Sequence, residues 1–299
     1  MTEETAAGSM HVLTLVAGRE TTLLTDALVG RVREALGGGS VTVLSPGEAV
    51  DIFPPGAPDL AVVRAALDGV AVDAIALPAQ GRRKRLLIAD MDSTIVTAET
   101  LDELADFAGL KDRIAAITAR AMNGELDFKA ALRERVAMLK GLPVGALEQT
   151  WQRVRLTPGA APLVATMRAN GAMTALVSGG FTFFTGRVAA LVGFDLHRSN
   201  TLLDDGVVLI GAVAEPILDR HAKVATLREL AARDGVPLSA ALAVGDGAND
   251  LDMLAAAGLG VAFHAKPIVA AAARARIDHT DLRALLFAQG YRAAEFIDG

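Results

Sequence analysis

Three segments of this chain share one pattern: LLIADMD (86–92), AMTALVSGG (172–180) and AALAVGDGAND (240–250). Each is an apolar, β-capable run that ends in small or polar residues and is followed by helix-like sequence. Parallel strands of an open α/β sheet read this way, and the ligands of such sheets sit beyond the carboxyl ends of the strands. The pattern therefore brings three polar clusters to one sheet edge.

The first cluster carries the clearest chemistry. Asp90 and Asp92 are spaced i, i+2, so in an extended segment both side chains can converge on one reacting group while Met91 points elsewhere. Paired carboxylates repel unless a cation neutralises them or one keeps a proton. A hard divalent ion such as Mg²⁺, held by a few carboxylates and completed by water or phosphate oxygens, resolves the conflict.

Asp246 falls at the end of the strand AALAV, and Asp250 follows within reach across the first helical turn. Ser178, Gly179 and Gly180 end the middle strand and open what reads as a helix, FTFFTGRVAALVG. A hydroxyl and free N–H groups at a helix N-terminus suit phosphate oxygens. Taken singly, each cluster also has an ordinary structural reading, as a turn or a capped helix start.

Composition narrows the classes. At 299 residues and 52% hydrophobic content the chain has ample material for one large domain or two moderate ones. A net charge of -6 argues against a generic nucleic-acid binder. The absence of cysteine removes disulfides and thiolate metal sites and agrees with a reducing cytoplasm. The longest uncharged stretch, between Arg168 and Arg187, holds too many Gly, Ser and Thr residues for a membrane span, and MTEETAAGSMHV lacks the basic start of a secretory signal. A cytoplasmic protein is expected.

Residues 10–80 read as a separate β-α-β-α-β unit punctuated by Gly37–Gly39, Pro46, Gly47, Pro54 and Pro55. It carries no strong chemical motif and is expected to bind, regulate or dimerise, so that a homodimer is one outcome. Between the first two sheet strands, residues 99–155 are rich in helical spacing and poor in β signal. That predicts a helical cap over the strand ends, acting as a lid. Residues 200–219 predict a hairpin turning at Asp205 and Gly206.

DMDST, VSGG, the lysine of HAK and GDGANDLDM, in that order, resemble the four motifs of the haloacid dehalogenase-like superfamily. More narrowly, ETLDELADFAGL, ITARAMNGELDF, LRERV and VSGGFTFF resemble its phosphoserine phosphatase branch, over residues 84–290. The resemblance implies a Rossmann-like α/β core (82–299) with the inserted cap, and an N-terminal α+β, ACT-like module (1–81). It also implies hydrolysis of O-phospho-L-serine to L-serine and phosphate, the last step of serine biosynthesis.

In that comparison Asp90 would be the nucleophile that forms an aspartyl-phosphate, and Asp92 the acid and base. Lys223, Ser178 and Gly179 would stabilise the transferring oxygens. Mg²⁺ would be held by Asp90, Asp246 and the backbone carbonyl of Asp92, with Asp250 holding metal-bound water or Lys223. Glu99 would meet the serine ammonium and Arg135 its carboxylate; Met122 and Phe128 would close the apolar side, and Asn249 would approach the phosphate.

Two rivals follow from the same residues. One is the same chemistry on another small phosphomonoester or transfer to an acceptor; the other is a non-catalytic amino-acid sensor. No membrane or nucleic-acid partner is expected.

Overall fold

The computed structural model describes residues 10–19, 23–123 and 125–299. Internal contacts divide the chain into two units: Met1–Lys84 with Ile277–Phe296, and Arg85–Arg276 with Ile297–Gly299. The first of these units takes back residues 277–296, a return that a division into 1–81 and 82–299 does not contain.

The first unit holds β1 (His11–Ala17), α1 (Asp26–Ala35), β2 (Ser40–Ser45), β3 (Ala49–Phe53), α2 (Leu60–Leu67) and β4 (Val72–Pro78). Its sheet has the order β2-β3-β1-β4, with antiparallel pairs throughout. The β-α-β-α-β reading misses β3. AVDIF lies between two Pro-containing breakers and carries a charge, yet Asp51 is buried and held by Thr14 Oγ1 at 2.7 Å and Arg82 Nη2 at 2.6 Å. The pairing Val43↔Val50 and Val41↔Ile52 makes a hairpin of β2 and β3. The Thr25 side chain caps α1 by accepting from Leu28 N–H.

In the same unit Asp73 of β4 fastens the C-terminal return. Its carboxylate accepts from the N–H groups of Asp278 (2.7 Å) and Thr280 (2.9 Å) and from Thr280 Oγ1 (2.6 Å).

The second unit is built on a six-stranded sheet of order β12-β11-β10-β5-β6-β7. Its strands are β5 (Leu86–Ala89), β6 (Met173–Phe181), β7 (Leu196–Asn200), β10 (Ala241–Gly245), β11 (Leu259–Phe263) and β12 (Ala275–Ile277). The registered pairs from β11 across to β7 are parallel. Helices α7 (Ala160–Ala169), α8 (Thr182–Val192), α9 (Arg220–Arg233), α10 (Leu251–Ala256) and α11 (Pro267–Ala272) complete this layer, and α12 (Ala284–Ala288) belongs to the C-terminal return.

Strands β5 and β10 are buried at every position, as expected of strands covered on both faces. One face packs Leu86, Ile88, Ala175 and Val177 against Leu227 and Leu230 of α9. The chain runs from β5 outward to β6 and β7 and returns to β10 on the other side of β5. The strand order therefore reverses at the β5–β10 boundary, where a parallel sheet opens a crevice.

Four helices, α3 (Thr100–Asp106), α4 (Lys111–Met122), α5 (Phe128–Ala137) and α6 (Gly145–Arg153), form the insertion expected over 99–155. The chain enters and leaves it through paired segments. Val96 bridges Leu156, Thr97 N–H donates to Arg155 O at 3.0 Å, and Thr157 N–H donates to Ile95 O at 2.9 Å. The hairpin of β8 (Leu202–Asp204) and β9 (Leu209–Val213) turns at Asp205 and Gly206, as the sequence predicts. It also joins the insertion: Gly141 N–H donates to Leu209 O at 2.8 Å and Val144 N–H to Val207 O at 2.9 Å.

Among the described residues, no helix is long and apolar enough to cross a membrane.

Replacing Asp73 by Ala strands the buried Thr280 N–H and Oγ1 together with the partly buried Asp278 N–H, the buried donors costing about 1–3 kcal/mol each. Chemical denaturation should show a loss of about 3 kcal/mol or more; a variant within 0.5 kcal/mol of the parent, roughly the range of an ordinary surface change, would show that Asp73 does not fasten the return.

Candidate active site

The strand ends set the geometry. Ala89 pairs with Val244 on one side and Leu176 on the other, so Asp90, Asp246 and Ser178 emerge side by side. Asp90 stays extended and donates its N–H to Val244 O at 3.0 Å. The chain then turns tightly through 91–95, with Ser93 at φ 54°, a left-handed conformation rarely adopted by residues with a side chain.

Lys223 of α9 lies beneath this turn, 1% exposed, with Nζ 2.8 Å from Asp90 Oδ2 and 2.6 Å from Asp250 Oδ1. Burial alone would discharge the ammonium, but the two carboxylates outweigh it and hold its pKa above the ordinary lysine range. Asp250 also accepts from Gly247 N–H at 3.1 Å. A Cβ on Gly245 would collide with the Asp250 carboxyl, so only glycine admits this approach.

Oxygens of Asp90, Asp246 and Asp250 lie within 4.8 Å of one another, all buried. Thr94 Oγ1 donates to Asp246 Oδ1 at 3.3 Å, whereas Asp246 Oδ2 is buried with no hydrogen-bond partner. Lys266 Nζ stands 3.9 Å from that oxygen, too far for a hydrogen bond. An orphaned carboxylate oxygen inside an acidic cluster fits a hard cation.

The Asp92 side chain turns away from this cluster. Its Oδ1 accepts from Thr100 N–H at 2.9 Å and its Oδ2 lies 3.5 Å from Ser178 Oγ. Burial, reinforced by the charges of Glu99 and Asp90, pushes its carboxyl up to about 8. Burial and the charge of Asp90 push Asp250 up to about 7 against the pull of Lys223, and burial with Glu99, Asp250 and Asp90 raises Asp246 well above the carboxylate range.

Above the strand ends the insertion closes one pocket lined by Asp90, Asp92, Ser178, Gly179 and Asn249 below, and by Glu99, Leu101, Thr118, Phe128, Leu132 and Arg135 above. Phe128 lies directly over Gly179, where a Cβ would come 2.7 Å from its Cζ. Arg135 is buried; its Nε donates to Ala131 O at 3.2 Å and its Nη1 to Thr118 Oγ1 at 2.8 Å. Ser93 Oγ donates to Glu99 Oε1 at 2.6 Å, and burial is the largest cause that raises the Glu99 carboxyl.

A family model for haloacid dehalogenase-like hydrolases matches residues 87–255. Phosphoserine phosphatase from Streptococcus thermophilus is 43% identical over 215 residues, which are 72% of this chain and 96% of that protein. The chain belongs to the haloacid dehalogenase-like hydrolase family. Phosphoserine phosphatase from Streptomyces coelicolor is 45% identical over 79% of this chain and 57% of that protein, so the chain spans little more than half of that longer relative. Among solved structures, a family hydrolase from Salmonella enterica serovar Typhi superposes with a TM-score of 0.82 at 32% identity, covering 93% of this chain and 98% of that one.

Most residues singled out in the sequence of this family member meet in the pocket or the carboxylate cluster beside it. One expectation needs correction. Ser178 and Gly179 do not open a helix: β6 continues to Phe181, and α8 begins at Thr182. Gly180 N–H donates to the Ser178 hydroxyl at 2.9 Å, so the polar end is a strand terminus. Asp250 holds Lys223 Nζ at 2.6 Å and shares the carboxylate cluster with Asp90 and Asp246. The side chain of Met122 lies outside the described residues.

Four supporting residues escape a sequence reading. Ser93 and Thr94 are visible as hydroxyls in DMDST, but their partners Glu99 and Asp246 are not. Thr118 and Lys266 have no local signal.

Without a divalent cation, the raised carboxyls let the folded state bind more protons than the unfolded chain, whose carboxyls titrate near about 4. Unfolding free energy should then fall as pH rises from about 4 to about 8. Asp246→Asn should flatten that slope, raise the melting temperature of metal-free protein at pH 8 and reduce its further rise on adding Mg²⁺. Thermal melts of parent and variant with and without chelator check this, and parallel pH slopes would contradict it.

Proposed function

We propose that this chain is an Mg²⁺-dependent phosphoserine phosphatase that hydrolyses O-phospho-L-serine through an aspartyl-phosphate on Asp90. One observation carries the reading: an anion, Glu99, and a cation, Arg135, face the same pocket whose floor holds Asp90 and Asp92. A zwitterionic amino acid bearing a phosphate needs that arrangement, and the names of the curated relatives agree with it.

Asp90 attacks phosphorus, and the bond to the serine oxygen breaks as Asp92 donates a proton to that leaving oxygen. Asp92 then takes a proton from the water that attacks the acyl phosphate, releasing inorganic phosphate and regenerating the Asp90 carboxylate. Lys223, fixed between Asp90 and Asp250, and the Ser178 hydroxyl offset charge on the transferring oxygens. Asn249 lines the pocket with a buried Oδ1 that has no hydrogen-bond partner, which supports a contact with substrate.

Asp90, Asp246 and the Asp92 backbone carbonyl would hold Mg²⁺. When bound, it supplies positive charge shared by these oxygens and the phosphate. Arg135 receives the substrate carboxylate, Glu99 the ammonium, and Phe128 covers the apolar side.

A phosphate-release screen with and without Mg²⁺ should favour phosphoserine over phosphoethanolamine and sugar phosphates. Asp90→Asn should be inactive, and Arg135→Ala should raise KM for phosphoserine about 10- to 100-fold, the loss of one charged hydrogen-bonded contact. No preference for phosphoserine, or an unchanged KM in the Arg135 variant, would remove the assignment.

A further inference from the structure

Arg135 carries five N–H donors, and two of them are used inside the insertion, on Ala131 O and Thr118 Oγ1. Among the described residues no carboxylate pairs with it directly. Its nearest anionic support arrives through one hydroxyl: Thr118 Oγ1 lies 2.8 Å from Asp102 Oδ1 and 3.1 Å from Ile114 O. A hydroxyl has one hydrogen and two lone pairs. With its hydrogen on the shorter, charged contact to Asp102, its lone pair faces the guanidinium.

The result is a chain, Arg135 to Thr118 to Asp102, joining α5, α4 and α3. Asp102, Thr118 and Arg135 are all buried. A carboxylate bonded straight to Arg135 would occupy the planar fork that the guanidinium offers to a second carboxylate. A hydroxyl inserted between them keeps the compensating charge close while leaving the fork open toward the pocket.

We propose that Thr118 and Asp102 are positioning residues that set Arg135 as the receptor for the substrate's carboxylate, and so determine selectivity for a phosphorylated amino acid over a phosphorylated amine. This rests on the phosphoserine reading above. Of the two, Thr118 lines the pocket among residues of the insertion, and Asp102 stands behind it. Their loss should therefore fall on recognition of the carboxylate and spare the chemical step.

The test compares O-phospho-L-serine with O-phosphoethanolamine, which keeps the phosphate and the ammonium and lacks the carboxylate. Thr118→Val should raise KM for phosphoserine about tenfold, as expected for one lost hydrogen bond to a charged group, with kcat within about twofold. KM for phosphoethanolamine should not move, and Thr118→Ser should restore the parent values. Asp102→Asn should raise KM for phosphoserine selectively too.

A variant that is folded by circular dichroism and loses both substrates equally, or neither, overturns the proposal. If Thr118→Val does not fold, Asp102→Asn decides alone, and an unchanged ratio of the two kcat/KM values overturns the proposal. A parent enzyme indifferent to the carboxylate refutes the phosphoserine reading itself, an outcome distinguishable because it appears before any substitution is made.

Discussion

Everything at this sheet edge depends on compensating buried negative charge. Asp90, Asp246 and Asp250 crowd within 4.8 Å, with Asp92 and Glu99 lining the adjoining pocket. Such a group cannot stay ionised in a low-dielectric pocket without partners. Lys223 supplies one positive charge, shared between Asp90 and Asp250. Backbone N–H groups of Met91, Thr100 and Gly247 bind the carboxylates of Asp90, Asp92 and Asp250. What remains uncompensated is the oxygen of Asp246, and the same deficit that destabilises the metal-free site makes it a cation site. The left-handed Ser93 belongs to this economy, since the tight turn directs Asp92 away from the cluster while its hydroxyl holds Glu99.

The architecture divides labour between layers. On the proposed reading, strand ends carry the groups that handle phosphate, and the insertion carries those that read the organic part of the substrate. The insertion enters and leaves the core through paired segments at Val96 and Leu156. Phe128 over Gly179 marks where the layers touch, and the absence of a side chain at 179 is what permits it. The β8–β9 hairpin, leaving the core after β7, adds a second strap to the insertion that helical periodicity alone does not reveal.

The candidate catalytic positions were legible because they terminate strands, where a change from apolar to polar residues is a local signal. Asp90, Asp246 and Ser178 could be found that way, and Lys223 only through its place in a family pattern. The central strands announced themselves by continuous apolar, β-capable runs. β3 did not, because Asp51 in AVDIF is a buried charge whose partners Thr14 and Arg82 lie 37 and 31 residues away. Ser-Gly-Gly mimicked a helix start because strand and helix abut at Phe181. Thr118 and Asp102 were invisible for a different reason: their role exists only once three helices bring them to Arg135, and no spacing within one helix encodes that.

The proposed function requires Asp90 to be the group that accepts the phosphoryl group. Acid quenching of the enzyme during turnover of radiolabelled phosphoserine, followed by peptide mapping, measures this directly. The label is expected on the peptide that contains Asp90 and is expected to vanish in Asp90→Asn. A label on Ser93 or Ser178, or turnover with no labelled protein at any quench time, would contradict it.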